Sequence, residues 1–541
     1  MGIFIHMNIS KSVTKDEWQK VYEETLLLVK AFPLAESRKV CCKGIETICL
    51  VPTEEREDFY GWNYNKKRVG WFADGDYETM HTAEDYALFR NLVCEEEIDE
   101  NAGDAILGVL SDYMNDYNKA LSDNVYCLWG NKTQGEPYHM YLLAIACLIE
   151  SRLNEKAFIY GDITRGQCKK AVELANQYLN NPIEIPARCD VWRFHERISK
   201  LPIGKKAQYE AFVQLYMGTK DAEFGAYIRS VYPEEIYMEY WKEEFDYYPI
   251  GTLGFDRIIN EYLLCGFGLK ELCSLVNYLD KEEKPQYQKF VERILDANLH
   301  IKEKNCEDML KINQEEEEPY SIYTLFAQFA FAGAENKKVD RYIPIEEIKS
   351  ILTDTLGDKC NVEFIIDEYL QREKNEIVLS AESSETEFKA LCEQDASEAL
   401  KQMMDIKKQA LCEDRRKYTI TVCEDFIYYR AGDSIEPRLE AALHNSFAFY
   451  NGLVAEERFH LLMKKSAKER CEWLAEQNKY LLIRKTDWEK IFTDIEKNDL
   501  TFARYYPMVR VKMETNNLVY MVMSFVLNDE LYQYCKSVCQ E

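Results

Sequence analysis

The residues best suited to chemistry lie in the segment 161–170 (GDITRGQCKK), where a short predicted strand turns directly into a helix. Thr164 and Gln167 have the spacing of a capping box, which predicts a helix that begins at Thr164. The N–H groups and the dipole at a helix start favour an anion. Arg165 would add positive charge, and Asp162 at the strand end could serve as a base or a metal ligand. The segment therefore predicts an anionic-ligand site made of Asp162, Thr164, Arg165 and Gln167.

The same four residues also allow a purely structural role, which we favour. In a capping box the Thr164 hydroxyl and the Gln167 amide satisfy free backbone N–H groups at the helix start themselves. An anion would then find those donors occupied. The spacing alone fits both readings, and the segment remains the first place to look for a pocket.

A second candidate is the concentration of tyrosine and tryptophan between residues 227 and 248, set among glutamates and aspartates. Tyr and Trp are enriched at protein interfaces, but a large helical core also contains them. Both readings stay open, and the core is the more ordinary explanation. The interface prediction names Tyr237, Tyr240, Trp241, Tyr247 and Tyr248.

Sequence motifs of the common enzyme classes are absent. The chain has no GxxxxGK[ST] phosphate loop, no GxSxG nucleophile turn, and no HExxH or CxxC metal motif. Two E-x-x-H pairs, Glu136–His139 and Glu457–His460, have the spacing that di-iron bundles use. With 7 histidines and abundant glutamate, chance accounts for both pairs. We therefore predict no metal and no cofactor, and whether the protein is an enzyme stays open.

The composition is that of a folded and strongly acidic protein. Hydrophobic residues make up 47% of the chain, and the formal net charge is −28. A field of that sign repels phosphate backbones, so we do not expect nucleic-acid binding, and it would speed association with a basic protein. The 18 cysteines lie mostly in apolar contexts, with no secretory signal and no membrane-length apolar run. These features predict a reducing cytoplasm, in keeping with a low-oxygen bacterium.

The apolar periodicity predicts a mainly α protein, α+β overall, with small β-containing units near both termini. Residues from Thr82 to about Val93 are predicted to form a helix, and 508–513 is predicted to pair with 518–525 as a hairpin. Residues 320–374 are predicted to form three helices, an arrangement compatible with a winged helix. The predicted domains are a small α+β unit at 1–120, a helical domain with one buried strand (157–160) at 121–312, a helical unit with a charged connector at 313–417, and an α+β unit at 418–541.

Together these features favour an interaction protein over an enzyme. We expect a soluble protein of the inhibitor, immunity or scaffold type, which binds another, basic protein and no membrane. This expectation rests on the net charge, the aromatic and acidic segment, and the absence of catalytic motifs. The alternative is an enzyme or an anionic-ligand-binding protein whose site lies near the strand-turn-helix at 161–170.

Overall fold

The computed structural model describes residues 2–59, 67–92, 99, 101–113, 124–301, 339, 341–371, 418–420, 425–511 and 516–539. These residues form a mainly helical protein with small antiparallel sheets near the N-terminus, which confirms the predicted mainly α fold class. The β-containing unit predicted near the C-terminus has no strand within the described residues 418–420, 425–511 and 516–539. They divide into two compact units, each built from three stretches of chain. The four contiguous domains at 1–120, 121–312, 313–417 and 418–541 stay a prediction. No helix in these ranges is long and apolar enough to cross a membrane.

Within the described ranges, eight strands form two separate sheets. Their bounds are β1 (Phe4–Ser10), β2 (Leu34–Cys42), β3 (Ile45–Pro52), β4 (Arg56–Phe59), β5 (Lys67–Asp76), β6 (Thr82–Phe89), β7 (Val125–Lys132) and β8 (Ala157–Gly161).

The first unit comprises Met1–Val21, Val93–Gly130 and Leu143–Ala396. Its three-stranded sheet has the order β7–β1–β8, and β1 and β8 run antiparallel. The helices that lie entirely within this unit are Leu107–Tyr113, Arg165–Asn176, Val191–Ser199, Lys205–Leu215, Ala222–Val231, Glu234–Tyr247, Leu253–Leu264, Leu269–Leu275, Tyr287–Asp296 and Ile345–Leu356. The helices Lys15–Ala31 and Tyr138–Leu153 each contain residues of both units.

Polar caps and an aromatic core explain the helical part of the first unit. Asp190, Asp221 and Thr252 begin three of its helices, and their side chains accept hydrogen bonds from backbone N–H groups of the first turn. The inward faces of the helices bury one large apolar cluster in which aromatic rings are abundant, including Phe212 and Trp241. Burial of these rings from water is the main favourable contribution to the packing.

The second unit comprises Tyr22–Leu92, Asn131–Leu142 and Ser397–Glu541. Its sheet has the order β3–β2–β5–β4, and β6 also pairs with β5. Lys43 and Gly44 join β2 to β3 with φ angles of 50° and 83°. Positive φ at both central positions is the requirement of a two-residue hairpin turn whose twist matches the strands.

Helices from the C-terminal stretch cover one face of this sheet. Those packed against β3 include Ala467–Gln477 and Lys485–Lys497. Trp488 and Phe492 of the second helix are fully buried in the same apolar cluster as Leu50 of β3. The helices of this stretch are Pro437–Gly452, Glu457–Leu462, Ala467–Gln477, Lys485–Lys497, Phe502–Tyr505, Asn516–Leu527 and Asp529–Val538.

Two local predictions are wrong. Residues 82–89 form strand β6 instead of a helix, because Tyr86 and Leu88 alternate into the core and pair the strand with β5. The predicted hairpin across 508–525 is replaced by the helix Asn516–Leu527, whose apolar run has no alternation and is buried on most sides. Of the predicted winged helix, residues 320–338 lie outside the described residues, and the helix Ile345–Leu356 is present.

Candidate functional site

The strand-turn-helix predicted as an anion site has the expected local structure. The Thr164 hydroxyl accepts a hydrogen bond from the Gln167 backbone N–H at 3.1 Å. The Gln167 side-chain oxygen accepts one from the Thr164 N–H at 3.1 Å, which completes a capping box. Two of the N–H groups that an anion would need are therefore satisfied by the protein.

The other two predicted residues are also engaged within the protein. Asp162 accepts a hydrogen bond from the Phe4 backbone N–H at 2.9 Å, which ties the end of β8 to the start of β1. Arg165 donates from Nε to the Cys189 carbonyl at 3.0 Å. The four residues thus lie together at one turn, and their known contacts favour the structural alternative. Anion binding at 161–170 stays a prediction.

The five aromatic residues of the predicted interface fall into two groups. Tyr237, Tyr240 and Trp241 are buried on the inner side of the helix Glu234–Tyr247. Trp241 is 1% exposed, and its ring meets that of Tyr262 edge-on with centroids 5.3 Å apart. These three side chains belong to the core of the first unit.

Tyr247 and Tyr248 at the end of the same helix face solvent. The Tyr247 side chain is 76% exposed, and its ring packs edge-on against the half-buried ring of Tyr248 at 4.8 Å. The Arg257 guanidinium lies over the Tyr248 ring at 5.5 Å. Tyr248 is therefore held in place by its neighbours, and Tyr247 projects from this support.

Five carboxylates line the solvent side of this helix. We call them the acidic face: Glu234, Glu235, Glu239, Glu243 and Asp246, all exposed. The Lys206 ammonium bridges Glu243 at 2.6 Å and Glu239 at 2.9 Å, and Lys242 pairs with Asp246. The hydrogen bond to Glu243, assisted by Glu239, holds the pKa of Lys206 above its ordinary value. The acidic face therefore already binds one cation from a neighbouring helix.

A histidine in the second unit is held between two carboxylates that the sequence analysis did not connect. His81 is buried, its Nδ1 pairs with Glu136, and its Nε2 pairs with Asp425. The Tyr520 ring stacks on the imidazole at 4.2 Å. Each ring nitrogen faces a carboxylate, so this imidazole is arranged as an electrostatic bridge and not as a general base. We call these four residues the His81 centre.

The ion pairs of the His81 centre determine its charge. Burial lowers the pKa of His81, but the contacts with Asp425 and Glu136 outweigh burial and raise the pKa to about 9. His81 is therefore protonated at neutral pH. The only hint in the sequence was Glu136 in an E-x-x-H pair, and its partner here is His81 instead of His139.

We expect the His81 centre to stabilise the second unit at neutral pH and to lose this effect in alkaline solution. Because the folded pKa lies above the unfolded value of 6.5, the stabilisation is complete below that value and fades as pH rises through about 9. The difference in unfolding free energy between wild type and His81→Gln should fall by about 2 kcal/mol between about pH 6 and pH 10. Urea unfolding at the two pH values measures it.

His460→Gln is the matched control for this prediction, since His460 is exposed on the helix Glu457–Leu462. We expect this control to follow the wild type at both pH values. If His81→Gln differs from wild type by the same amount at both pH values, the imidazolium bridge does not contribute as described.

The comparisons with known proteins add no relative. No family model, no curated protein and no solved structure matches this chain. Within the described ranges, no group of three or more His, Cys, Asp or Glu side chains is arranged to hold a metal ion.

Proposed function

We propose that this protein binds a basic protein through the acidic face and Tyr247. The observation that carries the proposal is the combination of an exposed carboxylate row and a projecting tyrosine on one helix whose other side is anchored in the core. Tyrosine at the edge of a charged surface is a common anchor in protein interfaces. The helix that carries this surface is anchored in the core by Tyr240 and Trp241, so its backbone would lose little conformational entropy when a partner binds.

The spacing of the carboxylates indicates which partner would fit. Glu235, Glu239 and Glu243 follow one another at four-residue steps, which on a helix is a spacing of about 6 Å. A partner helix with Lys or Arg at the same steps would meet Glu235 directly and would share Glu239 and Glu243 with Lys206, which already bridges them. Because these contacts are exposed, they should contribute more to association rate and orientation than to affinity, and they should weaken with salt.

Neutralising the acidic face is expected to abolish capture of the partner. In Glu239→Gln/Glu243→Gln the shape of both side chains is kept and two charges are removed, and Tyr247→Ala removes the anchor. Tagged full-length wild type, used at low salt on an extract of the native host, should retain a basic protein that the triple variant retains at least about tenfold less. Quantitative mass spectrometry of the retained proteins provides the measurement.

The matched control is Glu472→Gln/Glu476→Gln, which removes the same charge from exposed positions of the helix Ala467–Gln477 in the second unit. It should capture the partner as the wild type does. If the triple variant and this control lose capture of the partner equally, only the net charge matters. If the triple variant captures the partner as well as the wild type does, the proposal is overturned.

A further inference from the structure

A cleft in the first unit has a volume of about 410 Å³. That is within the ordinary range of small-molecule sites. Its apolar lining includes Ile185, Pro186, Leu201 and Pro202. Charged side chains from three other places in the chain complete the lining: Asp104, Glu150, Glu155, Arg193, Glu196, Arg197 and Lys200.

Arg197 lines the cleft and is 8% exposed, and its Nη1 makes no hydrogen bond to any residue that the structure describes. Its Nε and Nη2 donate to the two carboxylate oxygens of Asp104, both at 2.8 Å. Nη2 also donates to the carbonyls of Glu155 and Ala157, at 3.2 and 2.8 Å. Nη1 is 3.6 Å from a Glu150 oxygen, which is too long for a hydrogen bond. Nη1 is therefore the nitrogen that can donate to a ligand in the cleft.

The two carboxylates nearest Arg197, those of Glu150 and Asp104, already accept hydrogen bonds within the protein. Glu150 is 3% exposed and accepts hydrogen bonds from the backbone N–H groups of Ile159 at 2.8 Å and Ala187 at 3.1 Å. Asp104 is occupied by the guanidinium and by the Ile106 N–H at 2.8 Å. Burial raises the pKa of Glu150, and the Arg197 charge opposes this effect. Each oxygen of these two carboxylates already accepts at least one hydrogen bond, so both side chains serve to hold Arg197 in place.

At the rim of the cleft, one carboxylate and one guanidinium can still bond a ligand. Glu196 and Lys200 pair with each other at 2.8 Å, so their charges cancel locally. Glu155 is exposed, and its carboxylate makes no hydrogen bond or ion pair within the part of the chain that the structure describes. Arg193 bonds the Ile185 carbonyl at 3.0 Å and pairs with the outlying Glu184, through a single nitrogen, Nη1. The groups left for a ligand are thus donors from Arg197 and Arg193 and an acceptor on Glu155.

We propose that this cleft binds a small zwitterion of the amino-acid or dipeptide class. The carboxylate of the ligand bonds Arg197 Nη1 and Arg193, and its ammonium group pairs with Glu155. Its apolar part lies against Ile185 and Pro186. A zwitterion places its negative group at the two arginines and its positive group at Glu155. A simple anion has no positive group, so Glu155 would be left without an opposite charge. This site is separate from the acidic face and does not depend on the function proposed above.

The test uses calorimetric titration of the full chain with the common L-amino acids, glycyl-glycine and alanyl-leucine, each up to about 10 mM. At least one of these probes should bind, and its N-acetyl and C-amide derivatives should each bind at least about tenfold more weakly. Glu155→Gln should weaken the free probe by a similar factor and leave the N-acetyl derivative unchanged, since that derivative has no ammonium group to lose.

Glu173→Gln is the matched control, because Glu173 is exposed on the helix Arg165–Asn176 and does not line the cleft. It should bind the probe as the wild type does. Arg193→Gln should weaken the probe and its N-acetyl derivative alike. The proposal is overturned if no probe binds, if inorganic phosphate binds and no zwitterion does, or if Glu155→Gln binds the probe with unchanged affinity.

Discussion

Arg197→Met is expected to destabilise the first unit by about 3–5 kcal/mol, because it leaves the buried Glu150 and the largely buried Asp104 without their cation. Asp104 would lose a two-pronged hydrogen bond, and Glu150 would lose the nearest positive charge. The carbonyls of Glu155 and Ala157 would lose a donor as well. Urea unfolding, followed by hydrogen exchange of the backbone amides in β8, measures the loss in this unit.

Arg193→Met is the control for this prediction, since it makes the same chemical change on the same helix at a half-exposed position. Its effect should stay within about 1 kcal/mol. Adding Glu150→Gln to Arg197→Met should recover part of the stability, because one uncompensated charge is removed. A loss below about 1 kcal/mol for Arg197→Met would mean that water replaces the guanidinium without cost.

Trp241→Ala should cost a similar amount, about 3–5 kcal/mol, through a cavity in the aromatic core. The Trp241 ring lies 5.3 Å from the rings of Tyr240 and Tyr262 and 5.7 Å from that of Phe267. Its Nε1 has no hydrogen-bond partner among the described residues, so Trp241→Phe loses no such bond and should be much milder. Thermal unfolding of the three proteins compares them directly.

Tyr247→Ala supplies the contrast on the same helix. Because Tyr247 is exposed, its removal should change stability by no more than about 0.5 kcal/mol and yet weaken partner capture. A large stability loss from Tyr247→Ala, or none from Trp241→Ala, would reverse the assignment of these residues to surface and core.

Local signals in the sequence predicted local structure well. The buried strand predicted at 157–160 is present as β8 (Ala157–Gly161). The capping box of Thr164 and Gln167 forms as predicted because its two hydrogen bonds join residues three positions apart. The helix predicted from Thr82 is wrong because residues 82–89 pair with β5 as strand β6. This pairing is a long-range contact that the local sequence does not reveal.

The charged sites could not be predicted in the same way. Asp104 and Arg197 are 93 positions apart, and nothing near either residue indicates the other. His81 meets Glu136 and Asp425 only because three distant stretches of chain fold into one unit. The acidic face was visible as composition, but the separation of Tyr247 from Trp241 depends on which side of the helix the core covers.

The assembly of the second unit from distant stretches has a consequence for its biosynthesis. Lys43 in the hairpin between β2 and β3 bonds Thr493, 450 positions later, at 3.1 Å. At ordinary ribosome speeds, roughly 20–90 s pass between the synthesis of the hairpin and the synthesis of Thr493. Until the helix Lys485–Lys497 has been synthesised, its side chains cannot cover the apolar residues around Leu50, so this face of the nascent chain is a target for a holding chaperone.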